Sequence, residues 1–371
     1  MTNNNHQAFF ELVRAGLWEK ETRLANYKNI DYAAILQLAE EQSVVGLLTA
    51  GLEHVVDVKV PQADVLQFIG QTIQTEQSNK AMNKFIADLV VSMHNANICM
   101  ALIKGQGIAQ CYERPLWRAC GDVDLLLDDH GYTKAKNLLI PLAESVENED
   151  IYCKHIGMVL RSWVVEIHGN QHTELSSRID NILDNLQKEA FEIPSYRVWR
   201  NGNVDVLLLG IDYDVLFVFT HFLKHFYKGG IGLRQICDWC RLIWAYKNVI
   251  DCKLLEKRLK KMGLTTEWKT FATLAVSYLG MPEEAMPLYE KDVRWQRKAN
   301  RVCTFILKVG NFGNNRNNTY YCHYPYLIRK IISMNRRVED IINHFLIFPV
   351  DSVKFLPNLF YNGLRSAVNG L

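Results

Sequence analysis

The run Gly121-Asp122-Val123-Asp124-Leu125-Leu126-Leu127 constrains this chain more than any other stretch of it. Successive side chains on a β-strand alternate between faces, so Asp122 and Asp124 share one face while Val123 points the other way. Two carboxylates entering an apolar strand are costly to desolvate unless something positive sits between them. A divalent metal meets that need, and Mg²⁺ takes one or two carboxylates together with the oxygens of a phosphate substrate.

The flanking sequence is of another kind. Residues 6 to about 94 carry helical periodicity. Asp31 is placed to cap the segment Tyr32–Ala39. From Ala63 to Asn95, apolar residues such as Val65, Phe68, Ile69, Met82, Phe85, Ile86 and Leu89 recur at spacings of three and four. This block offers little chemistry and reads as scaffold. The character changes at Ile98. Ile98–Ile103 is a short apolar strand closed by Lys104-Gly105-Gln106-Gly107, and a helix from Ile108 to Tyr112 stops before Pro115. After the Asp122–Leu127 strand, Tyr132–Glu144 is amphipathic. His155–Leu160 and Trp163–His168 read as paired strands turning at Arg161-Ser162, with Val164, Glu166 and His168 on one face of the second.

Val204–Leu209 is the last strand-like run. From Tyr213 the pattern is helical again, with Asp212 or Asp214 as its cap and a break at Gly229–Gly232. Further helices are expected from Leu233, over Leu254–Met262, Trp268–Leu279, Asp292–Val309 and Tyr326–Phe348, with a loop rich in asparagine and glycine at Gly310–Asn318. The expected fold class is α+β. A small mixed-sheet core at 96–212 lies between an N-terminal helical region, 1–95, and a C-terminal helical domain, 213–371.

Composition excludes several classes. A chain of 371 residues holds two or three domains, and 49% hydrophobic with 22% charged residues describes an ordinary globular protein. A net charge of +2 gives no global signal for nucleic acid. Nine scattered cysteines, an odd number, without a secretory signal at Met1–Asn5, read as reduced thiols of a cytoplasmic protein. No apolar run approaches the ~18 residues that cross a bilayer.

Taken together, Lys104-Gly105, then Arg118-x-x-Gly121-Asp122-Val123-Asp124-Leu125-Leu126-Leu127, then a strand with Glu166-Ile167-His168, resembles the nucleotidyltransferase superfamily that includes DNA polymerase beta. It resembles more closely a bacterial uncharacterised nucleotidyltransferase family in which Lys-Gly replaces the usual Gly-Ser. His221-x-x-x-His225, Gly230-Ile231-Gly232-Leu233-Arg234-Gln235 and Asp238-Trp239 are similar to that family's helical half. The resemblance implies that Asp122, Asp124 and Glu166 are the catalytic acids and hold Mg²⁺, with Glu166 as ligand or base. It implies transfer of a nucleotidyl group from a nucleoside triphosphate, with pyrophosphate leaving. Lys104, Gly105, Gly107, Arg118 and Arg234 would meet the nucleotide, Arg118 through bidentate contacts. The acceptor is left open among a small molecule, a saccharide, a protein and RNA. No serine follows Gly105, Pro115 and Trp117 interrupt the segment before the acid pair, and the third acid is a glutamate where aspartate is commoner. These departures imply either altered substrate handling or a degenerate site that binds without turnover.

Other motifs have competing readings. Arg234 and Asp238, four apart on a helix, either pair with each other or line the cleft. His221 and His225 read as helix packing and polar lining ahead of zinc, since no His-Glu-x-x-His motif is present. Cys237-x-x-Cys240 lies inside a helical pattern and reads as structural. Residues 303 to 371 hold eight Lys/Arg against three acids, +5. This tail reads as a helical subdomain with a solvated basic face, ahead of peripheral contact with an anionic membrane or RNA.

Overall fold

Seven short strands form one mixed sheet. They are β1 (Met100–Ile103), β2 (Asp122–Leu127), β3 (Ser145–Val146), β4 (His155–Leu160), β5 (Trp163–His168), β6 (Arg197–Asn201) and β7 (Val204–Leu208), in the order β3-β4-β5-β2-β1-β7-β6. β2 is parallel to β5 and β1 to β7, and the other neighbours are antiparallel. The computed structural model describes residues 3–193, 195–311, 324 and 326–369. Its helices are α1 (Asn3–Trp18), α2 (Tyr32–Glu41), α3 (Val45–Glu53), α4 (Gln62–Asn95), α5 (Gly105–Ala109), α6 (Asp129–Leu139) and α7 (Ser177–Glu192). They continue as α8 (Ile211–Lys228), α9 (Leu233–Tyr246), α10 (Cys252–Met262), α11 (Thr265–Leu279), α12 (Val293–Val309), α13 (Tyr326–Ile347) and α14 (Pro349–Asn369). The class is α+β.

Alternation along β2 divides the molecule. Val123, Leu125 and Leu127, with Leu102, Val165 and Ile167, face the C-terminal half of α4 and α6 in one hydrophobic core. Each such side chain, fully removed from water, stabilises by about 1.5–3 kcal/mol. Leu126, Ala101 and Ile103 face the other way, into a larger core that continues through α8, α9 and α11 to α1. The N-terminal helices thus pack on the helices that follow the sheet: the Trp18 indole donates to the Leu279 carbonyl at 2.6 Å. The acids Asp122 and Asp124 share the Leu126 face, so the sheet delivers them to the side covered by α8 and α9.

Most expected elements stand within a few residues of their sequence bounds. Asp31 caps α2 by accepting from the Ala34 amide at 3.0 Å. Arg161 and Ser162 take φ of 48° and 67°, the paired left-handed conformation of a two-residue hairpin turn. Several elements differ. The helix expected over Tyr132–Glu144 begins earlier, capped by Asp128, and ends at Leu139 ahead of Pro141. β3, α7 and β6 have no counterpart in the sequence reading. β6 is an edge strand reading Arg-Val-Trp-Arg-Asn, with too few apolar residues to announce itself. Neither Asp212 nor Asp214 caps α8, which starts after Gly210. Asp214 instead pairs with Arg197, and Asp212 accepts from the Asp251 amide at 2.9 Å.

Among the described residues no helix is long and apolar enough to cross a membrane. In the basic tail Lys308 pairs with Glu339 at 2.5 Å and Lys354 with Asp351 at 3.1 Å. Arg316, the rest of the asparagine-rich loop from 312 onward, and the side chains of Arg329, Lys330, Arg337 and Arg365 lie outside the described residues.

Candidate active site

Strand register assembles the acids. Asp124 lies directly opposite Glu166 across the parallel β2–β5 pair, and Leu126 lies opposite His168. Asp122, Asp124, Glu166 and His168 therefore project from one face. The antiparallel β4–β5 pair adds His155 opposite His168 on that same face. Asp124 is 2% exposed, whereas Asp122 at the strand entrance is half-buried.

Lys104 meets this face from the end of β1. Its backbone takes φ 56°, in the left-handed region, and the next residue is Gly105 at φ 39°. That turn aims the ammonium at Asp124, with Nζ 2.7 Å from Oδ1, and His168 Nε2 lies 2.8 Å from the same oxygen. Burial opposes ionisation of Asp124, but Lys104 and His168 outweigh it and hold the carboxyl well below its ordinary range. Asp122 goes the other way: burial and the neighbouring charges of Asp124 and Glu166 raise it. Desolvation opposes ionisation of the half-buried Glu166 too, yet the His155 hydrogen bond, Lys104 and His168 keep it below its usual value. Its Oε2 is 3.1 Å from His155 Nε2 and 3.5 Å from His168 Nε2. Burial pushes His168 down to about 4, which leaves the ring neutral near pH 7.

The segment between Gly105 and Asp122 is held by groups that sequence reasoning missed. Asn79 of α4, fully buried, donates to the carbonyls of Leu116 and Arg118, both at 2.8 Å, and accepts from the Gln106 amide at 2.6 Å. Arg118 makes the bidentate contact expected of it, but the partner is Asp238 of α9. Nε donates to Oδ1 at 3.0 Å and Nη2 to Oδ2 at 2.6 Å, while the Tyr112 hydroxyl also donates to Oδ1 at 2.8 Å. Asp238 is thereby taken, so it does not pair with Arg234. Arg234 donates from Nη1 to the Ala119 carbonyl at 2.8 Å, its Nε has no hydrogen-bond partner among the described residues, and burial together with Arg118 lowers its pKa. Gln42, at the end of α2, holds the start of the Arg234 helix by accepting from the Leu233 amide at 3.0 Å. Gly105 lines a small cavity with Lys104, Arg118, Asp122, Asp124 and Arg234. Gly107 lines neither this cavity nor its neighbour. A Cβ there would meet Leu208 Cδ2 at 2.8 Å, so the glycine lets α5 lie close on the sheet.

A second cavity of about 240 Å³ opens on the far side of Lys104. Five of the chain's 11 histidines line it: His155, His168, His172, His221 and His225. Glu166 and Lys224 are in its wall, and Lys104 and His221 belong to both cavities. His221 and His225 meet edge to face at 4.6 Å between centroids and serve as half-buried polar lining, both shifted down by desolvation. Cys237 and Cys240 are buried in α9, and the described cysteines are all free.

Asp122 and Asp124 offer oxygen donors only, the chemistry that Mg²⁺ prefers. The raised Asp122 carboxyl marks a place where a cation would relieve crowded negative charge. Glu166 has imidazoles on both sides. Lys104 already supplies one positive charge to Asp124.

A strand carrying paired acids, a lysine turned onto them, and an Arg-bearing helix closing the far side make up one contiguous site, and it falls inside the segment that compares with known proteins. No curated protein and no solved structure matches the chain. The model of one family, described as "Uncharacterised nucleotidyltransferase", matches residues 28–280, more than half of the chain and inclusive of every residue of the site. The chain belongs to this uncharacterised nucleotidyltransferase family.

Proposed function

We propose that the chain is a Mg²⁺-dependent nucleotidyltransferase of the polymerase-beta-like superfamily, moving a nucleotidyl group from a nucleoside triphosphate to an acceptor with release of pyrophosphate. The observation that carries this reading is the placement of Asp122, Asp124 and Glu166 on one face of neighbouring parallel strands, between two cavities that share Lys104. Asp122 and Asp124 would hold Mg²⁺, which when bound neutralises charge on the phosphates and polarises the attacked phosphoryl group. Lys104, Gly105 and Arg234 line the smaller cavity and meet the triphosphate. Arg118 stands in the same wall and ties the Ala119–Gly121 segment to α9 through Asp238. The larger cavity receives the acceptor, and Glu166, kept ionised by His155 and Lys104, takes its proton. The acceptor is a small molecule, a saccharide, a protein side chain or an RNA end.

One contact supports a second reading. The Lys104 ammonium on Asp124 Oδ1 neutralises this acid internally, as a nucleotide-binding module without turnover would require. Calorimetric titration with each nucleoside triphosphate, with and without Mg²⁺, separates the two. The transferase reading predicts binding that needs Mg²⁺ and is lost in Asp122→Asn. Equal binding without Mg²⁺, insensitive to Asp122→Asn, favours the module.

A further inference from the structure

We infer that His155, Glu166 and His168 form a binding site for a first-row transition ion such as Mn²⁺, Fe²⁺ or Zn²⁺, separate from the Asp122–Asp124 oxygen pair. Register builds it. His155 and His168 face each other across the antiparallel β4–β5 pair, and Glu166, two residues before His168, shares their face. Opposite Glu166 on β4 stands Gly157, and its missing side chain leaves room for the Glu147 carboxylate, whose Oε2 lies 2.5 Å from where a Cβ would stand.

The donor atoms already have coordination spacing. One ligand atom from each residue lies within 4.8 Å of the other two. The two histidine Nε2 atoms are 3.1 and 3.5 Å from the same Glu166 oxygen. With metal–ligand bonds of ~2.1 Å, neighbouring ligands sit ~3.0 Å apart in an octahedron and ~3.4 Å in a tetrahedron. Two imidazole nitrogens and one carboxylate oxygen select a transition ion over Mg²⁺, which prefers oxygen alone. The side chains remain reachable, at 31%, 29% and 12% exposure for His155, Glu166 and His168, and all three line the 240 Å³ cavity. Three protein donors facing a cavity leave positions for water or a substrate oxygen. The charges beside the site include Asp124, 2.8 Å from His168 Nε2, Lys104, which pairs with Asp124, the Glu147 carboxylate over Gly157, and Lys224 in the cavity wall. The inference goes beyond the transfer reading, because it holds equally for a chain that transfers nothing.

The test uses the full chain, stripped with chelator and titrated with Mn²⁺ followed by electron paramagnetic resonance, then with Co²⁺ followed by visible absorption. One equivalent is expected to bind in the presence of millimolar Mg²⁺, with Co²⁺ bands showing imidazole ligation. His155→Asn and His168→Asn should each weaken uptake at least about tenfold, because loss of an outer-shell partner alone costs that much. Asp122→Asn should leave uptake unchanged. His155 lies at the rim, so its variant tests the site even where the His168 variant fails to fold, and thermal melts verify both. The inference is overturned by absence of stoichiometric uptake, by uptake indifferent to both histidine variants, or by displacement with Mg²⁺. Loss of uptake in Asp122→Asn would place the ion on the acid pair and overturn it as well.

Discussion

Replacing Asp238 with asparagine probes how the loop before the acids is held. The side chain keeps its shape and loses its charge. Arg118 and Asp238 expose only 6% and 5% of their side chains, so solvent cannot compensate the orphaned guanidinium. Arg234 lies within the field of the same acid, and among the described residues its Nε has no hydrogen-bond partner, which leaves two cations near one neutral amide. Breaking a buried, hydrogen-bonded ion pair from one side costs about 3–5 kcal/mol. At an unfolding entropy of roughly 2.1 cal/mol/K per residue, a cooperative transition of this chain would fall by on the order of 4–6 °C. The assay is thermal unfolding of the wild type, Asp238→Asn, Arg118→Met and the double variant. Removing both charges should restore part of the loss, since no Arg118 guanidinium is then left buried without its counter-charge. A shift near 1 °C in Asp238→Asn, or a double variant as unstable as the sum of the singles, would refute this account of the loop.

Other predictions follow from the same geometry. Asn79→Ala strips hydrogen bonds from two loop carbonyls and the Gln106 amide, so it should cost about 1–3 kcal/mol in denaturant titration and weaken nucleotide affinity as well. Glu267 of α11, fully buried beside Asp351 and Tyr227, is raised to about 8 from its ordinary 4.5. The fold therefore binds a proton that the unfolded chain releases, and stability declines as pH rises from about 4.5 to about 8, by at most about 1.4 kcal/mol per pH unit. Glu267→Gln mimics the protonated form. It should raise the melting temperature at pH 8 and leave it nearly unchanged at pH 4.5; a pH 8 melt equal to wild type contradicts the assignment.

Much of the site could be read from local pattern. Asp122-Val123-Asp124 needs only the period of a strand to put its acids on one face. Glu166 and His168 follow by the same rule, and Arg161-Ser162 joins β4 to β5 as a hairpin. Contacts that depend on distant register were not legible. Arg118 has a guanidinium suited to phosphate, and nothing near it in sequence reveals a carboxylate 120 positions later. Asn79 and Gln42 sit in helices that look like scaffold, and their roles come from single side chains reaching loops that fold back on them. The histidine cluster was invisible for a similar reason. His155 and His168 come from two strands, and His221 and His225 from a helix that the fold sets above them. Gly107 looked like phosphate-contacting backbone, yet it is the close packing of α5 on Leu208 that needs a residue without a Cβ.

The central claim is that the face bearing Asp122, Asp124 and Glu166 carries out nucleotidyl transfer. Incubating the purified chain and Mg²⁺ with α-phosphate-labelled nucleoside triphosphates, against small-molecule, protein and RNA fractions in turn, tests it most directly. The account predicts Mg²⁺-dependent label in one fraction with wild-type protein, and loss of that label with Asp122→Asn or Asp124→Asn. Label transferred equally well by the Asp124→Asn protein would contradict it.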